Sequence, residues 1–256
     1  MPKTKRSKRY KTTQTNVKKP YEKSVKVNAS SAGNSNSGAK KKSAANLKWF
    51  LKVYKGLDDW HIPIFQATQQ YTKAKHVLYP GCDKHLTASL CFPLVVYVDV
   101  NKKLKPVFND DSVLEWVKEN KMYSEETKIK FLCQNFDSGF EKLASFDLMI
   151  SACAGIVSKP CSKYIKPGGY FLVSDAHFDA RTTFLRPDFE LVAVYDNETS
   201  QFLTNKAEFA GHFHTLEGKP LNSKQVEESL QKPKARRSFK LQKEAMFYLF
   251  RKVKEA

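Results

Sequence analysis

The sequence predicts an α/β fold built on a mostly parallel, seven-stranded sheet with helices on both faces and an antiparallel pair of late strands. Three observations lead to this prediction. From His76 onward, short apolar runs alternate with helical patterns, as expected when helices cross over between parallel strands. The chain has 256 residues, of which 41% are hydrophobic, so it can bury the core of one ordinary domain. Much of the basic charge lies near the N-terminus, outside the region with this alternation.

Residues 1–42 are predicted to form a disordered basic tail. They contain 13 Lys or Arg residues and one acid, Glu22, whereas residues 43–256 hold 31 basic and 25 acidic residues. The tail has little apolar surface with which to offset the entropy lost on folding. The run from Pro2 to Arg9 concentrates cations as nuclear-import signals and nucleic-acid-binding arms do. Contact with nucleic acid or another acidic surface and simple solvation of the chain both agree with this composition.

The folded region, residues 43–256, is predicted to start with two helices within 43–75. Gly56 and Pro63 interrupt a helical pattern there, which favours two helices with a bend over one long helix. The apolar side chains that recur at helical intervals are Leu47, Phe50, Leu51, Tyr54, Ile64, Phe65 and Ala67.

Seven apolar runs are predicted to be strands. Five fall in a core at 76–175 and two in a late region at 176–256: His76–Tyr79, Leu94–Val100, Ile129–Cys133, Phe146–Ile150, Tyr170–Ser174, Glu190–Tyr195 and Met246–Val253. A helix is predicted over Asp110–Lys121, capped by Asp110 or Asp111. A shorter helix is predicted within Ile156–Ile165, with Pro167 stopping it.

The cysteines and the hydropathy pattern indicate a soluble, intracellular protein. The five cysteines lie mostly in apolar runs, without CxxC spacing or a secretory leader, which favours reduced thiols. No apolar run approaches the roughly 18 residues that a membrane span requires, so no membrane association is expected. The expected compartment is cytoplasmic, or nuclear if the source is eukaryotic. The pattern predicts no particular oligomeric state.

The segment Ile165-Lys-Pro-Gly-Gly-Tyr-Phe-Leu-Val173 and the motifs before it resemble one enzyme family. In chain order, the motifs are a strand followed by a glycine loop, a strand that ends in Asp99, and a third strand followed by the acid Asp137. Phe146-Asp-Leu-Met-Ile150 comes next, ahead of the Pro-Gly-Gly segment. Over residues 76–175 this order resembles the class I S-adenosylmethionine-dependent methyltransferases. The resemblance implies a Rossmann-like fold, S-adenosylmethionine as cofactor, and late strands that separate this sheet from that of dinucleotide dehydrogenases.

The resemblance places the amino-acid end of the cofactor at the loop after the first strand, Val77-Leu-Tyr-Pro-Gly-Cys-Asp-Lys-His85. Tyr79 stands where the family has an acid, Gly81 keeps the first of three alternating glycines, and Asp83 and His85 replace the other two, so the loop is degenerate. Asp tolerates a left-handed backbone, so Asp83 can preserve the turn, although its carboxylate would face a ligand that carries a carboxylate itself. A tight connection without a ligand is the alternative.

Three further positions match ligand contacts of the family. Asp99 ends the second strand, 18 residues after Gly81, where the family's acid accepts hydrogen bonds from both ribose hydroxyls. Its alternative roles are capping of the next segment and pairing with a nearby lysine. Asp137 corresponds to the side chain beside the adenine amino group, or it is a loop acid or the N-cap of a following helix. Ser151 opens the loop after the fourth strand and is a candidate cofactor contact.

No residue stands out as a catalytic base, so the catalytic residues stay unassigned. Cys153 invites comparison with nucleophilic cysteines, but no neighbouring cation supports a thiolate, which favours a buried packing residue. His177 follows the fifth strand and could accept a proton near neutral pH. His212 and His214 lack the further ligands of a metal site, so no metal is expected.

A second basic cluster, 232–243, lies in the insertion between the last two strands. Together with 1–42 it is a candidate contact for nucleic acid or an acidic surface, or it is an exposed, solvated loop. The sequence thus predicts an S-adenosylmethionine-dependent methyltransferase, with nucleic acid or a nucleic-acid-associated protein as candidate acceptor. The alternative is a catalytically inactive module of the same fold that works through its basic segments. An oxidoreductase is disfavoured because the loop lacks GxGxxG.

Overall fold

Eight strands form a single sheet in the order β3-β2-β1-β4-β5-β8-β6-β7. The computed structural model describes residues 37–57, 61–209, 211–232 and 239–253. In chain order the strands are β1 (His76–Pro80), β2 (Leu94–Asp99), β3 (Lys128–Cys133), β4 (Phe146–Ser151), β5 (Ile165–Ser174), β6 (Phe189–Asp196), β7 (Gln201–Leu203) and β8 (Phe247–Lys252). All seven predicted runs are strands, and β7 was not predicted.

Strand direction changes only in the late part of the sheet. β1 to β5 are parallel to one another, whereas β8 lies between β5 and β6 and is antiparallel to both. This confirms the predicted pair of late strands. β7 pairs antiparallel with the end of β6 and forms an edge of the sheet. Its three residues are too few to show a pattern in the sequence, which is why it was missed.

The central strands are apolar along most of their length because both faces of the sheet are covered. Val77 and Tyr79 of β1 face one core, and Leu78 between them faces the other. β3 lies at an edge, and there exposed Lys128 and Lys130 alternate with half-buried side chains. The alternation of side chains along each strand therefore divides the interior into two cores.

Helices cover both faces, as predicted. The first four pack on the Tyr79 side of the sheet and the last three on the Leu78 side. In chain order they are α1 (Ser37–Leu57), α2 (His61–Thr72), α3 (Lys105–Phe108), α4 (Asp111–Asn120), α5 (Ser158–Cys161), α6 (Asp179–Phe184) and α7 (Ser223–Gln231). Short 3₁₀ turns occupy Leu86–Leu90 and Ser162–Tyr164. Among the helices of the described residues, none is both long and apolar enough to cross a membrane.

The two predicted N-terminal helices are present as α1 and α2. Gly56 lies in the last turn of α1 and Pro63 in the first turn of α2, where a proline costs no helical hydrogen bond. α1 begins at Ser37, so the end of the segment predicted to be disordered is helical. The rest of that segment, residues 1–36, lies outside the described residues. The predicted cap of α4 is confirmed, because the Asp110 carboxylate accepts from the backbone N–H of Ser112 at 3.1 Å.

The Pro-Gly-Gly segment lies inside β5 rather than ahead of it. The preceding 3₁₀ turn already ends at Tyr164, so the expectation that Pro167 stops a helix is wrong. The register between β4 and β5 shifts at this point. Gly168 has a φ of +76°, and a Cβ on Gly169 would lie 2.8 Å from Cγ2 of Ile165. The two glycines therefore permit a bulge in a buried strand.

Candidate functional site

The carboxyl ends of β1, β2, β3 and β4 meet at one edge of the sheet. β1 lies between β2 and β4, so the order of the parallel strands reverses its direction of winding beside β1. In open α/β sheets, ligands bind in the crevice outside the carboxyl ends of the strands at such a point. The fold brings four predicted contacts to this edge, at or just after the strand ends: Gly81, Asp99, Asp137 and Ser151.

The loop after β1 turns at Gly81, whose φ is +61°. A Cβ at this position would lie 2.4 Å from the Cβ of Ala154 in the loop after β4, which is closer than two carbon atoms can pack. The N–H of Gly81 donates to the carbonyl oxygen of Val98 in β2 at 2.7 Å. Backbone conformation and packing between two loops therefore both require glycine here.

Asp83 adopts the left-handed conformation expected of it, with a φ of +44°. Its backbone N–H donates to Oδ2 of Asp99 at 2.9 Å, and its own side chain is exposed. Further along the loop, the N–H of His85 donates to the carbonyl oxygen of Cys82 at 3.0 Å. The loop thus keeps the shape of a glycine turn, but it uses these amides for bonds within the protein.

Asp99 accepts a second hydrogen bond, at Oδ1, from the backbone N–H of Asn101 at 2.8 Å. The alternative role predicted for it, capping of the next segment, is therefore present. The two oxygens of a carboxylate offer about four acceptor positions, so the bonds to Asp83 and Asn101 leave capacity on both oxygens. The side chain is half-buried at the end of β2. Its position allows it to hold the loop and to accept from a bound hydroxyl as well.

The antiparallel insertion of β8 between β5 and β6 distinguishes two kinds of Rossmann-like sheet. A dinucleotide-binding sheet continues beyond its fifth strand in the same direction, whereas a class I methyltransferase sheet has this reversal. The chain has a divergent class I methyltransferase fold.

Solved structures similar to this chain include three bacterial proteins. A methyltransferase from Geobacter sulfurreducens aligns over 59% of this chain and 83% of its own, with 8% identity and a TM-score of 0.41. The N-methyltransferase NodS from Bradyrhizobium japonicum WM9, in complex with S-adenosyl-L-homocysteine, aligns over 53% and 70%, with 14% identity and a TM-score of 0.36. The YcgJ protein from Bacillus subtilis aligns over 60% of this chain and only 58% of its own, with 16% identity and a TM-score of 0.33. Neither protein-family models nor curated protein sequences match the chain.

Tyr79 and His85, at the end of β1 and in the loop after it, direct their side chains toward α2 and the core. Tyr79 is fully buried, and its hydroxyl lies 3.0 Å from Nδ1 of His85. The His85 ring packs edge-on against the ring of His61 in α2, with centroids 4.2 Å apart. Burial lowers the pKa of His85 to about 4, and burial together with nearby His85 lowers the pKa of His61 to about 2. The Tyr79 side chain therefore packs in the core instead of facing the crevice.

Ser151 belongs to a buried clamp on the loop after β4. Its hydroxyl donates to Oδ2 of Asp179 at 3.0 Å. The same carboxylate accepts from the backbone N–H groups of Val157 and Ser158, each at 3.1 Å. Burial raises the pKa of Asp179, and these hydrogen bonds oppose the rise. Asp179 thus ties the loop to the start of α6, a contact over 28 residues that no local pattern indicates.

Asp137 is exposed in the connection between β3 and β4, residues 134–145. This connection contains no helix, so the expectation that Asp137 caps one is wrong. Its N–H donates to Oδ1 of Asn135 at 3.0 Å within a local turn. Neighbouring Phe136 covers the turn at Gly81, since a Cβ built on that glycine would lie 3.7 Å from Cε1 of the ring. The Asp137 side chain is therefore presented to solvent at the same edge as Asp99.

Cys153 is exposed, so the expectation of a buried packing residue is wrong. It has a φ of +61°, uncommon for a residue with a side chain. Its N–H donates to Oγ of Ser174 at 2.9 Å, and that hydroxyl donates to the cysteine sulfur at 3.8 Å. The loop after β4 is thereby also tied to the end of β5.

A buried ion pair follows β5, near the predicted base His177. Asp175 binds Nε of Arg181 at 2.5 Å, and the guanidinium lies between the rings of Phe178 and Phe239, 4.4 and 4.6 Å from their centroids. Burial raises the pKa of Asp175 to about 6, although Arg181 opposes this rise. The Asp-Ala-His sequence drew attention to His177, whereas the structure buries the aspartate beside it.

The remaining candidates are the two histidines, His212 and His214, and the second basic cluster. His212 is buried, with its ring 5.7 Å from that of Tyr248, and burial lowers its pKa to about 4. Within the described parts of the chain, no group of three His, Cys, Asp or Glu side chains is arranged to hold a metal ion. Half of the basic cluster 232–243, namely 233–238, lies outside the described residues.

Proposed function

We propose that this protein binds S-adenosylmethionine along the carboxyl ends of β1, β2 and β3 and transfers its methyl group to an acceptor. The observation that carries the proposal is the place of Asp99. This half-buried carboxylate ends β2, touches the loop after β1 and keeps acceptor positions on both oxygens. A pair of ribose hydroxyls requires such an acceptor at this point of the fold.

The residues around the crevice fit one end of the cofactor better than the other. Asp99 supplies acceptors for a ribose, and exposed Asp137 supplies one for an adenine amino group. At the other end, the amides of Gly81, Asp83 and His85 already have partners within the protein. The exposed carboxylate of Asp83 attracts the ammonium group of the ligand and repels its carboxylate. We therefore expect weaker binding than a loop with three glycines would give.

The bound cofactor would supply a methyl group on a sulfonium, which is a strong electrophile. Because such a group needs little acid–base assistance, the protein's own contribution is to position the two reactants and to exclude water. The clamps on the loop after β4, made by Asp179 and Ser174, hold that loop beside the crevice. We propose nucleic acid or a nucleic-acid-associated protein as the acceptor, on the strength of the basic segments 1–42 and 232–243.

Calorimetric titration of the full chain with S-adenosylmethionine and S-adenosylhomocysteine tests the proposal. Asp99→Ala should abolish the heat of binding, while Asp196→Ala should preserve it. Asp196 is a matched control because it ends β6 and accepts from the N–H two residues later, at 3.1 Å, as Asp99 does. If neither ligand gives heat or raises the melting temperature of the unmodified chain, the methyltransferase is excluded and the non-catalytic module remains. Transfer of labelled methyl to RNA, DNA or protein identifies the acceptor.

A further inference from the structure

A row of lysines runs along the outward face of α1. Phe50 and Tyr54 turn the opposite face toward the body, where their rings pack on Trp116 with centroids 5.3 and 5.0 Å apart. Positions at intervals of seven, four and three residues return to one side of a helix. The exposed lysines at such positions, which we call the α1 lysine row, are Lys41, Lys48, Lys52 and Lys55. From its first to its last residue the row is roughly 21 Å long.

A second group of lysines adjoins this helix. Exposed Lys42 of α1 borders an open cleft of about 410 Å³, and the connection from β2 to α3 brings Lys102 and Lys105 to the same cleft. The amide side chains of Asn46 and Asn109 also line it. We call Lys42, Lys102 and Lys105 the lysine cleft.

One acid, Asp110, lines the lysine cleft, and its charge is directed into the protein. Its carboxylate accepts from the hydroxyl of Ser43 at 2.7 Å, from the side-chain amide of Asn46 at 2.8 Å and from Ser112. Burial acts to raise the pKa of Asp110, but these hydrogen bonds outweigh burial and lower it. Asp110 thus fixes α1 against α4, and three cations with one engaged anion leave the cleft positive.

None of these lysines forms a salt bridge within the described residues, although other exposed lysines do. Lys75 pairs with Glu125 at 2.9 Å, and Lys206 pairs with Glu190 at 3.1 Å. α1 itself contains no acidic residue over its 21 residues. The charges of the α1 lysine row and the lysine cleft therefore add to one another instead of being neutralised locally.

We propose that the α1 lysine row and the lysine cleft form a nucleic-acid-binding surface on the folded domain, separate from the part of the basic tail that precedes α1. The three lysines of the cleft contact backbone phosphates, and the row contacts further phosphates of the same strand. At about 3.4 Å per nucleotide, the length of the row matches roughly six nucleotides. A positive surface that follows one phosphate backbone is typical of single-strand binding, and phosphate contacts by Lys require no base sequence. The surface shares no residue with the proposed cofactor contacts, so each can be tested without the other.

The test measures binding of a short, mixed-sequence single-stranded RNA to the full chain over a series of salt concentrations, without cofactor. One variant carries Lys42→Gln, Lys102→Gln and Lys105→Gln. A matched control carries the same change at three exposed lysines elsewhere, Lys73, Lys159 and Lys219. A third variant carries Lys→Gln throughout the α1 lysine row. Melting temperatures and binding to phosphatidylserine vesicles are measured for each protein.

We expect the cleft variant to bind RNA about tenfold more weakly at low salt, with a salt slope shallower by about 2, because three phosphate contacts are lost. The row variant should show a similar change, the control should match the unmodified chain, and all melting temperatures should agree. Equal losses in the cleft variant and the control would show that only net charge matters and would overturn the proposal. It is also overturned if RNA binding is unchanged in both the cleft and row variants, whether or not their vesicle binding falls.

Discussion

The carboxylate of Asp99 holds the backbone N–H of Asp83 at 2.9 Å, so the end of β2 determines the shape of the loop after β1. Asp83 has a φ of +44°, a conformation that costs energy for a residue with a side chain. The hydrogen bond offsets part of that cost. The interaction therefore couples the conformation of this loop to the Asp99 side chain.

This coupling predicts that Asp99→Ala loosens the loop even without a ligand. The variant loses the acceptor for two backbone amides, so the free energy of unfolding should fall by about 1 kcal/mol. Hydrogen exchange at the Asp83 amide should accelerate, because that amide loses its partner. Asp196→Ala should accelerate exchange at Glu198 and leave Asp83 unchanged. Unaltered exchange at Asp83 in Asp99→Ala would show that the carboxylate does not hold the loop.

Gly81→Ala should be among the most destabilising single changes at the crevice. The added Cβ would lie 2.4 Å from the Cβ of Ala154, and the alanine would have to keep the positive φ of this position. We therefore expect the free energy of unfolding, measured by chemical denaturation, to fall by about 2 kcal/mol or more. Gly155→Ala is the matched control, because Gly155 has a φ of +100° but nothing within 4 Å of its added Cβ. It should cost only the strain of the backbone. The double change with Ala154→Gly should recover part of the loss, and no recovery would contradict the packing explanation.

The clamp on the loop after β4 predicts that Asp179→Ala destabilises the protein more than Ser151→Ala does. Asp179→Ala leaves the buried amides of Val157 and Ser158 without an acceptor, at about 1–3 kcal/mol for each. Ser151→Ala removes one donor to a carboxylate that keeps its other bonds, so it should cost about 1 kcal/mol. Denaturant unfolding measures both variants. Equal destabilisation by the two changes would argue against Asp179 as the centre of the clamp.

The buried histidines predict a loss of stability in mild acid. His85 titrates near 6.5 in the unfolded chain but near 4 in the folded one, so the unfolded state takes up a proton first as the pH falls from about 6.5 to 4. The free energy of unfolding should therefore fall in this window, by up to about 1.4 kcal/mol per pH unit for each such group. In His85→Gln, the plot of unfolding free energy against pH should be flatter in this window, because about one proton fewer is taken up on unfolding.

Asp175 supplies the control for that profile, because its effect has the opposite sign. Its pKa is raised from 3.8 to about 6, so the folded state binds the proton first as the pH falls, and this group adds stability between about pH 6 and 4. Asp175→Asn removes this gain, and the loss of stability in acid should become steeper. Profiles that shift in the same direction for His85→Gln and Asp175→Asn would contradict the assigned causes.

The strands of the sheet could be predicted because parallel strands covered on both faces are long apolar runs, as β1, β2 and β4 are. Asp99 and Gly81 were chosen through the resemblance to methyltransferases, and both lie at the ends of those strands. The features that could not be predicted are contacts between residues that are far apart in the sequence or strands too short to show a pattern. Neither the clamp by Asp179 nor the pairing of Gln201–Leu203 with β6 leaves a local pattern.

Two local expectations failed for a different reason. Pro167 was expected to end a helix, since proline often does, but the chain had already left the helical conformation at Tyr164. Tyr79 was compared with an acidic position of the family, yet its side chain points into the core, where it contacts His85. The residue type at a position does not by itself tell which side of the loop its side chain takes.

The place of β8 also bears on how the chain is synthesised. β8 is the last strand along the described chain, yet it lies in the interior of the sheet, between β5 and β6. While the ribosome is still making the preceding residues, β1 to β5 can pair with one another, and β6 can pair with β7, but no strand yet joins β6 to β5. The nascent protein therefore exposes an unpaired edge of β5 until Phe247–Lys252 emerges, and such an edge is a site for chaperone binding or aggregation.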